Sequence, residues 1–379
     1  MTQKATREGL KSHNRRLVLR SVFAGEATNR AAIALYTGLA KPTISDIVAE
    51  LMDDGLLEEG GHGDSTESGG KRPILLHFRP QARQIIGVSI TANRAHGVLA
   101  DLNGDIIAHH RAYLEDSPDK DALGVLLQVI NGLVAQLDAP LLCISVGAPG
   151  IVMSDLGIVK AAPSLGWYNM LLADHLTTLY NVPAYVGNNT ELATRALVAF
   201  KSPAPTPNLV MVLVNGSVEI GIAFAGAVYR HSGDLGLLRV PPSAEPLEAF
   251  LGWEFVERRI AELLPLDQTT LPTNPDYLDI RYGYQQGDWL CRVLYDELAG
   301  HLAQIFAWIT GIIRPEEIAL AGEIVDMGEE LITLATERTR HLLPPELVNA
   351  VTFSLATDPL LSVTGTIAHA LDRELGVLS

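Results

Sequence analysis

Apolar positions in the first eighty residues recur at helical spacing in three short runs. Between Asn14 and Phe23, the residues Val18, Leu19, Val22 and Phe23 form an i, i+1, i+4, i+5 stripe, which predicts a helix with one face on a core. A second helix is expected to open on Asn29 as its N-cap and to stop at Gly38, a residue suited to the left-handed position after a helix. A third is expected from Lys41-Pro42, with Pro42 in the first turn and Ile44, Ile47, Val48 and Leu51 along one face. Only Gly38-Leu39-Ala40 separates the last two, the short Gly-containing turn of a helix-turn-helix. The pattern then turns to strands. Leu56-Leu57-Glu58-Glu59 and Ile74-Leu75-Leu76-His77-Phe78 flank a Gly-rich loop, which predicts a β-hairpin wing.

From Arg83 onward apolar strand-like runs alternate with helical ones. Residues 85–90 and 97–102 read as paired strands, Asn103-Gly104-Asp105 as a hairpin turn, residues 123–137 as a helix and residues 141–146 as a buried strand. This β-β-β-α-β order predicts an α/β lobe, and a similar run starting at residues 209–214 predicts a second. The expected organisation is therefore a head over residues 1–80, a first lobe over 81–200 and a second over 201–379, with the last helix packing back on the first lobe. Residues 264–287 are polar, contain Pro and Tyr, and show no clear periodicity or functional pattern.

Charge sharpens this division. The net charge of −16 taken alone argues against nucleic acid. However, residues 1–80 hold 11 Lys+Arg against 10 Asp+Glu, a net of +1, and the remainder holds 17 against 34, a net of −17. Residues 1–45 alone carry 8 basic and 2 acidic side chains. A cationic head on an acidic body places any phosphate-binding surface at the N-terminus. No apolar run approaches the roughly 18 residues of a membrane span, and no apolar secretory leader is visible, so the expected location is the cytoplasm without membrane attachment. Cys143 and Cys291 lie far apart, which argues against a disulfide framework or a four-ligand zinc site.

With the third helix packed through its Ile/Val face, Thr43, Asp46 and Glu50 point outward or flank that face, with Lys41 and Ser45 at the N-terminal end. Hydroxyls and a lysine there suit phosphate oxygens and base edges in a major groove, whereas Asp46 either accepts from a cytosine amino group or repels. Lys71 and Arg72, before the stiff Pro73, suit a minor groove or phosphate backbone. The alternative reading is a small helical module that binds protein.

The residues that discriminate are Asn14-Arg15, the run Thr37-Gly38-Leu39-Ala40-Lys41-Pro42-Thr43-Ile44-Ser45, Leu51 through Gly55-Leu56, and Gly69-Gly70-Lys71-Arg72-Pro73. In this order they resemble the winged helix-turn-helix of ROK-family regulators (repressor, open reading frame, kinase). The family's usual serine N-cap is Ala40 here. The resemblance spans essentially the whole chain. It implies an α/β fold in which the head precedes a two-lobed, actin-like, sugar-kinase-like (ribonuclease H-like) domain with ligand between the lobes.

The resemblance also implies where kinase parts would stand. The Asp-x-Gly-x-Thr phosphate loop of ROK kinases corresponds to Ser89-Ile90-Thr91-Ala92-Asn93, which lacks the aspartate and the glycine. The Gly-rich phosphate turn corresponds to Asn215-Gly216-Ser217-Val218-Glu219-Ile220-Gly221, where Glu219 would face triphosphate with like charge. The sugar-binding Asn and catalytic Asp correspond to Asn188 and Asn189, and a neutral amide cannot take a proton. Glu191 is read as a first-turn helix residue favoured by the dipole rather than as a substitute base. The zinc histidine corresponds to Leu237 and the following loop holds no cysteine, so no metal or other cofactor is expected. His231 nearby is read as a surface or hydrogen-bonded residue rather than a ligand.

Parts of a sugar cradle remain: Pro149 and Gly150 in Gly147-Ala148-Pro149-Gly150, Trp167 after Pro163-Ser164-Leu165-Gly166, then Asn188, Asn189, Asp234 and Glu248. Their alternative reading is loop support by hydrogen bonding. Ile318 to Glu323 resembles the strand and glycine turn beside adenosine in kinases, and residues 361–368 resemble the family's final helix. The expectation is a non-enzymatic transcriptional regulator, a repressor by preference, with a double-stranded DNA operator, a possible sugar effector, and a homodimer or dimer of dimers. The competing expectations are a sugar kinase with an appended DNA-binding head and a regulator with a vestigial cleft governed by a protein partner.

Overall fold

A computed structural model describes residues 7–63, 72–117, 121–201, 208–215, 217–230, 233, 235–239, 245–264 and 268–378. The chain divides into two compact units, Met1–Leu192 with Val363–Ser379, and Ala193–Ser362.

The first unit opens with helices α1 (Arg7–Phe23), α2 (Arg30–Thr37) and α3 (Lys41–Asp53), followed by strands β1 (Leu57–His62) and β2 (Ile74–Phe78). The predicted stripes meet: Val18, Leu19, Val22, Ile33, Ile44, Ile47, Val48, Leu51, Leu57 and Leu76 are all buried. Asn29 caps α2 by accepting from Ala31 N and Ala32 N at 3.1 and 3.0 Å. Gly38 ends it in the left-handed conformation at φ +70°, where a Cβ would be strained. Helix α1 begins at Arg7 rather than at Asn14. Its extra N-terminal residues from Gly9 to His13 are exposed and carry no apolar stripe, so periodicity missed them, while the Lys11–Glu50 ion pair ties them to α3 at 2.7 Å.

The lobe that follows holds β3 (Gln84–Ile90), β4 (Arg94–Ala100), β5 (Ile106–Tyr113), α4 (Ala122–Val134), β6 (Leu141–Ala148), β7 (Ile151–Met153), β8 (Ile158–Ala162), β9 (Trp167–Met170), α5 (Leu172–Tyr180), β10 (Ala184–Asn188) and α6 (Asn189–Ala196). One sheet runs β10-β6-β3-β4-β5, with β3, β6 and β10 parallel and β3-β4-β5 antiparallel; β7, β8 and β9 make a separate small sheet. Side chains alternate across the main sheet. The space beside Gly97 is filled by Val129 and Leu133 of α4, and that beside Gly87 by Thr366 and Ile367 of the last helix. The sheet is thus covered on both faces.

The second unit holds β11 (Leu209–Val214), β12 (Val218–Phe224), β13 (Ala227–Val228), α7 (Trp253–Leu263), α8 (Tyr277–Gln286), α9 (Trp289–Ile312), β14 (Glu317–Ala321), α10 (Glu329–Leu342), α11 (Pro345–Val348) and β15 (Thr352–Ala356); α12 (Leu361–Glu374) closes the chain, and from Val363 it counts with the first unit. Its sheet runs β13-β12-β11-β14-β15, again mixed. Tyr295 and Phe306 of α9 fill its core. The stretch without visible periodicity contains α8. Its N-terminus is held by a reciprocal capping box between Asp276 and Asp279. Tyr277, Ile280 and Gly283 are buried and the half-buried Tyr284 stacks on Tyr295, while a Cβ at Gly283 would come within 2.5 Å of Cys291 Sγ. A stripe that needs glycine for close approach leaves little hydrophobic signal. Asp288 then caps α9; burial pushes its carboxyl up, but hydrogen bonds from Thr270, Cys291 and Thr269 outweigh that and hold it at about 2.

Among the described residues no helix is long and apolar enough to cross a membrane, and no cluster of three or more His, Cys, Asp or Glu side chains could hold a metal.

Candidate functional site

In the head, Lys41, Ser45 and Asp46 are exposed on α3, Thr43 is half-buried, and Arg72 is exposed just before β2; Lys71 lies outside the described residues. Positions 41, 45 and 49 repeat every four residues and 42 and 46 do likewise, so the exposed stripe of α3 is continuous. Ion pairs occupy four of the head's acids: Lys11–Glu50 and Arg15–Asp54 at 2.7 Å, Arg30–Glu59 at 2.8 Å and Arg79–Glu58 at 3.3 Å. Such exposed pairs contribute little stability. They do offset negative charge that would otherwise oppose phosphate, Glu50 included. Leu35 and Tyr36 on α2 are also exposed, Leu35 by 87%. Sequence reading passed over them; the signal was that neither fits the face set by Ile33.

Ala40 has the extended backbone of an N-cap, φ −65° and ψ 143°, and makes no side-chain cap. Ala40→Ser supplies an oxygen to the free N–H groups of the first turn. It is expected to raise stability by about 1 kcal/mol, checked as a shift in urea midpoint at unchanged m-value.

The asparagine pair sits where β10 passes into α6. Asn188 donates through Nδ2 to Gly150 O at 2.9 Å, while its Oδ1 accepts from Thr190 N at 2.8 Å and Glu191 N at 3.2 Å. One side chain thereby caps α6 and holds the β6–β7 turn. Gly150 is required there: its φ is +76°, and a Cβ would collide with Ala161 O. Pro149, beside it, is half-buried. Asn189 is clamped from two sides: Oδ1 accepts from Ser89 Oγ at 2.8 Å, and Nδ2 donates to Ile90 O at 2.8 Å. Ser89 and Asn189 are therefore each other's partners. A Cβ at Gly147 would collide with Asn189 Oδ1, so the β6 backbone closes the third side. Glu191 lies in the first turn of α6 and is buried.

Trp167 does not stand as an open apolar wall. It pairs with Ala162 across β8 and β9 and is 7% exposed within the core that includes Leu165 and Leu172. Its area contributes to packing.

In the second unit, Glu248 is half-buried in a short 3-10 turn, Leu247–Phe250, and its carboxylate lies against Gly236, where a Cβ would be 2.9 Å from Oε2. Leu237 is 61% exposed. Asp234, Gly216 and His231 lie outside the described residues. Glu219 accepts from Ser217 Oγ at 2.9 Å. Asn215 accepts from Glu323 N at 2.9 Å, and Cβ atoms at Gly252 and Gly322 would meet Asn215 O at 2.5 Å and Asn215 Oδ1 at 2.7 Å. The turn at Asn215 is thus packed against the glycine turn at Gly322. A recess of about 540 Å³ lined by Phe250, Phe255, Arg258, Arg259 and His301, among others, is separate from these turns. Arg259 there is already paired with Glu262 and Glu297.

The family model for the ROK family matches residues 85–245. Over these residues the chain is similar to the ROK family. The chain is 27% identical to the xylose repressor of Bacillus subtilis (strain 168) over 238 residues, spanning 61% of each chain. The match to the xylose repressor of Caldicellulosiruptor bescii is 28% identical over 362 residues and spans 88% of each. Among solved structures, a ROK family transcriptional regulator described as a homolog of the E. coli MLC protein matches 97% of this chain and 98% of its own, with TM-score 0.84 and 21% identity. A ROK family glucokinase from Streptomyces griseus, solved with glucose and AMPPNP, matches 77% of this chain and 99% of its own, with TM-score 0.61 and 18% identity. The first of these two structures matches more of this chain than the second does.

Proposed function

We propose that this ROK-family chain is a DNA-binding transcriptional repressor of the cytoplasm. Its kinase-like body senses a sugar or sugar derivative without phosphorylating it. The observation that carries the reading is the clamp on Asn189. At the position of the general base stands an amide whose oxygen and nitrogen are both committed to Ser89 and Ile90, in a chain that also carries a helix-turn-helix head. Lys41, Thr43, Ser45, Asp46, Lys71 and Arg72 contact an operator duplex, and Pro149, Gly150, Asn188, Asn189, Asp234 and Glu248 offer polar groups to a polyol. Relatives named xylose repressor support a pentose or related aldose as effector. A dimer gives two recognition helices for a pseudo-palindromic site.

Fluorescence titration of labelled upstream fragments at several salt concentrations, with and without D-xylose and a hexose and amino-sugar panel, tests this. Lys41→Ala is expected to weaken binding to all fragments roughly equally and to reduce the salt slope by about 1. No salt-sensitive preference for any fragment sinks the reading. ADP release above background across the same panel turns it into a kinase. Operator binding with thermal midpoints unmoved by every sugar assigns control to a protein partner instead.

A further inference from the structure

The last helix touches both the asparagine pair's surroundings and the head. At one end, Gly365 of α12 lies on the backbone of Leu192 in α6: a Cβ would overlap the Leu192 carbonyl outright, with Leu192 Cα at 3.0 Å. Beside it Thr366 packs into the space at Gly87 of β3, the strand that carries Ser89 and ends at Ile90. At the other end, Glu374 accepts from the Tyr185 hydroxyl of β10 at 2.5 Å, and the Arg373 guanidinium stands 5.1 Å over the Tyr185 ring. Burial, and then the Glu374 hydrogen bond, push the Tyr185 hydroxyl above its ordinary range, so it remains a donor. Strand β10 continues from Tyr185 to Asn188, and α6 starts at Asn189. Both elements that form the asparagine pair therefore grip α12.

The same end of α12 reaches the head. Arg16 of α1 donates through Nη2 to Arg373 O at 3.1 Å. Gly376, at φ +64°, lies under the Arg16 side chain, where a Cβ would be 2.6 Å from Cδ. Arg16 and Arg373 are 357 residues apart in the chain. A helix is stiff along its axis, and the eight steps from Gly365 to Arg373 cover roughly 12 Å at ~1.5 Å per residue. Backbone-on-backbone packing at one end leaves no slack to absorb a shift of α6. A second tie, Arg83 Nη2 to Asp54 O at 3.2 Å, joins the start of β3 to the end of α3 without passing through α12.

We propose that α12 carries the state of the Asn188–Asn189 site to the head through the Arg16–Arg373 joint, so that Arg16 is a positioning residue for α1. This rests on the reading that the pair lines the effector site. A ligand competing for the Asn189 amide loosens its clamp on Ser89 and Ile90, α6 shifts, and α12 moves with it. The movement leaves the lobe at Arg373.

Hydrogen exchange on the full chain tests this without operator or sugar. Asn189→Ala, and Ser89→Ala as a milder companion, release the clamp. Either is expected to speed exchange in α12 and, roughly five-fold, in α1. In an Arg16→Ala background the added effect on α1 disappears while that on α12 stays, and Arg16→Lys, which can still donate to Arg373 O, restores it. An α1 that ignores both site variants overturns the proposal. So does an α1 that responds equally without Arg16, which would assign the coupling to Arg83. A chain that passes this test yet shows no sugar effect on DNA binding fails the proposed function and leaves the joint standing.

Discussion

Gly365→Ala is expected to lower the thermal midpoint by about 10 °C or more, or to leave no soluble folded chain. The added methyl would overlap the carbonyl oxygen and carbon of Leu192, which are helix backbone and cannot rotate away. Nor can α6 retreat. The Leu192 side chain is already wedged against β10 and β6, where Cβ atoms at Gly187 and Gly147 would each lie 3.0 Å from it. Relief therefore requires two packed elements to separate. Ordinary overpacking costs ~1–3 kcal/mol when side chains can yield, and a clash with fixed backbone belongs in the exceptional range above ~4 kcal/mol. At about 2–4 °C per kcal/mol for a unit of this size, the midpoint falls accordingly. Gly311→Ala in the last turn of α9 is the control. Nothing lies within 4 Å of its Cβ position, and alanine favours helix over glycine by up to ~1 kcal/mol, so its midpoint should hold or rise. A Gly365→Ala midpoint equal to that of the control removes the tight α6–α12 crossing.

Local pattern made the head readable. Ile44, Ile47, Val48 and Leu51 announce one buried face, and Asn29 and Gly38 mark the ends of α2 by chemistry that acts within three residues. What stayed hidden depends on partners remote in sequence or on stripes with little apolar content. Ser89 and Asn189 each read as a missing kinase part; that they bond each other across 100 residues is visible only in three dimensions. Tyr185 sits in an apolar strand and looks like core, yet its hydroxyl seeks Glu374, 189 residues on. Trp167 beside a Pro-Ser-Leu-Gly turn looks like a cleft wall, but its pairing with Ala162 turns it into the lobe's interior. Helix α8 escaped because its inward side is built from two tyrosines and a glycine around a lone aliphatic residue, Ile280.

Asn189→Asp, which places a carboxylate where the resemblance to ROK kinases expects one, is expected to yield no phosphoryl transfer and to destabilise the first unit at neutral pH. Asn189 Nδ2 now donates to Ile90 O at 2.8 Å, and a carboxylate has no proton to give there, so two oxygens would oppose each other in a buried site. Only the Ser89 Oγ donation would survive. Losing a buried donor costs about 1–3 kcal/mol, and more when the replacement is charged. The introduced carboxyl would respond by holding its proton, so its folded pKa lies above the unfolded value near ~3.9. Between those two values the folded chain binds more protons than the unfolded one. Stability relative to the parent must then recover as pH falls from neutral through the folded pKa. Urea midpoints of variant and parent at pH 7 and pH 5 read this directly: the gap narrows at the lower pH if the amide's donation to Ile90 is what the site needs. A gap independent of pH, or ADP formed with any sugar of the panel, would mean that Asn189 is a lost base awaiting repair and not the centre of a neutral clamp.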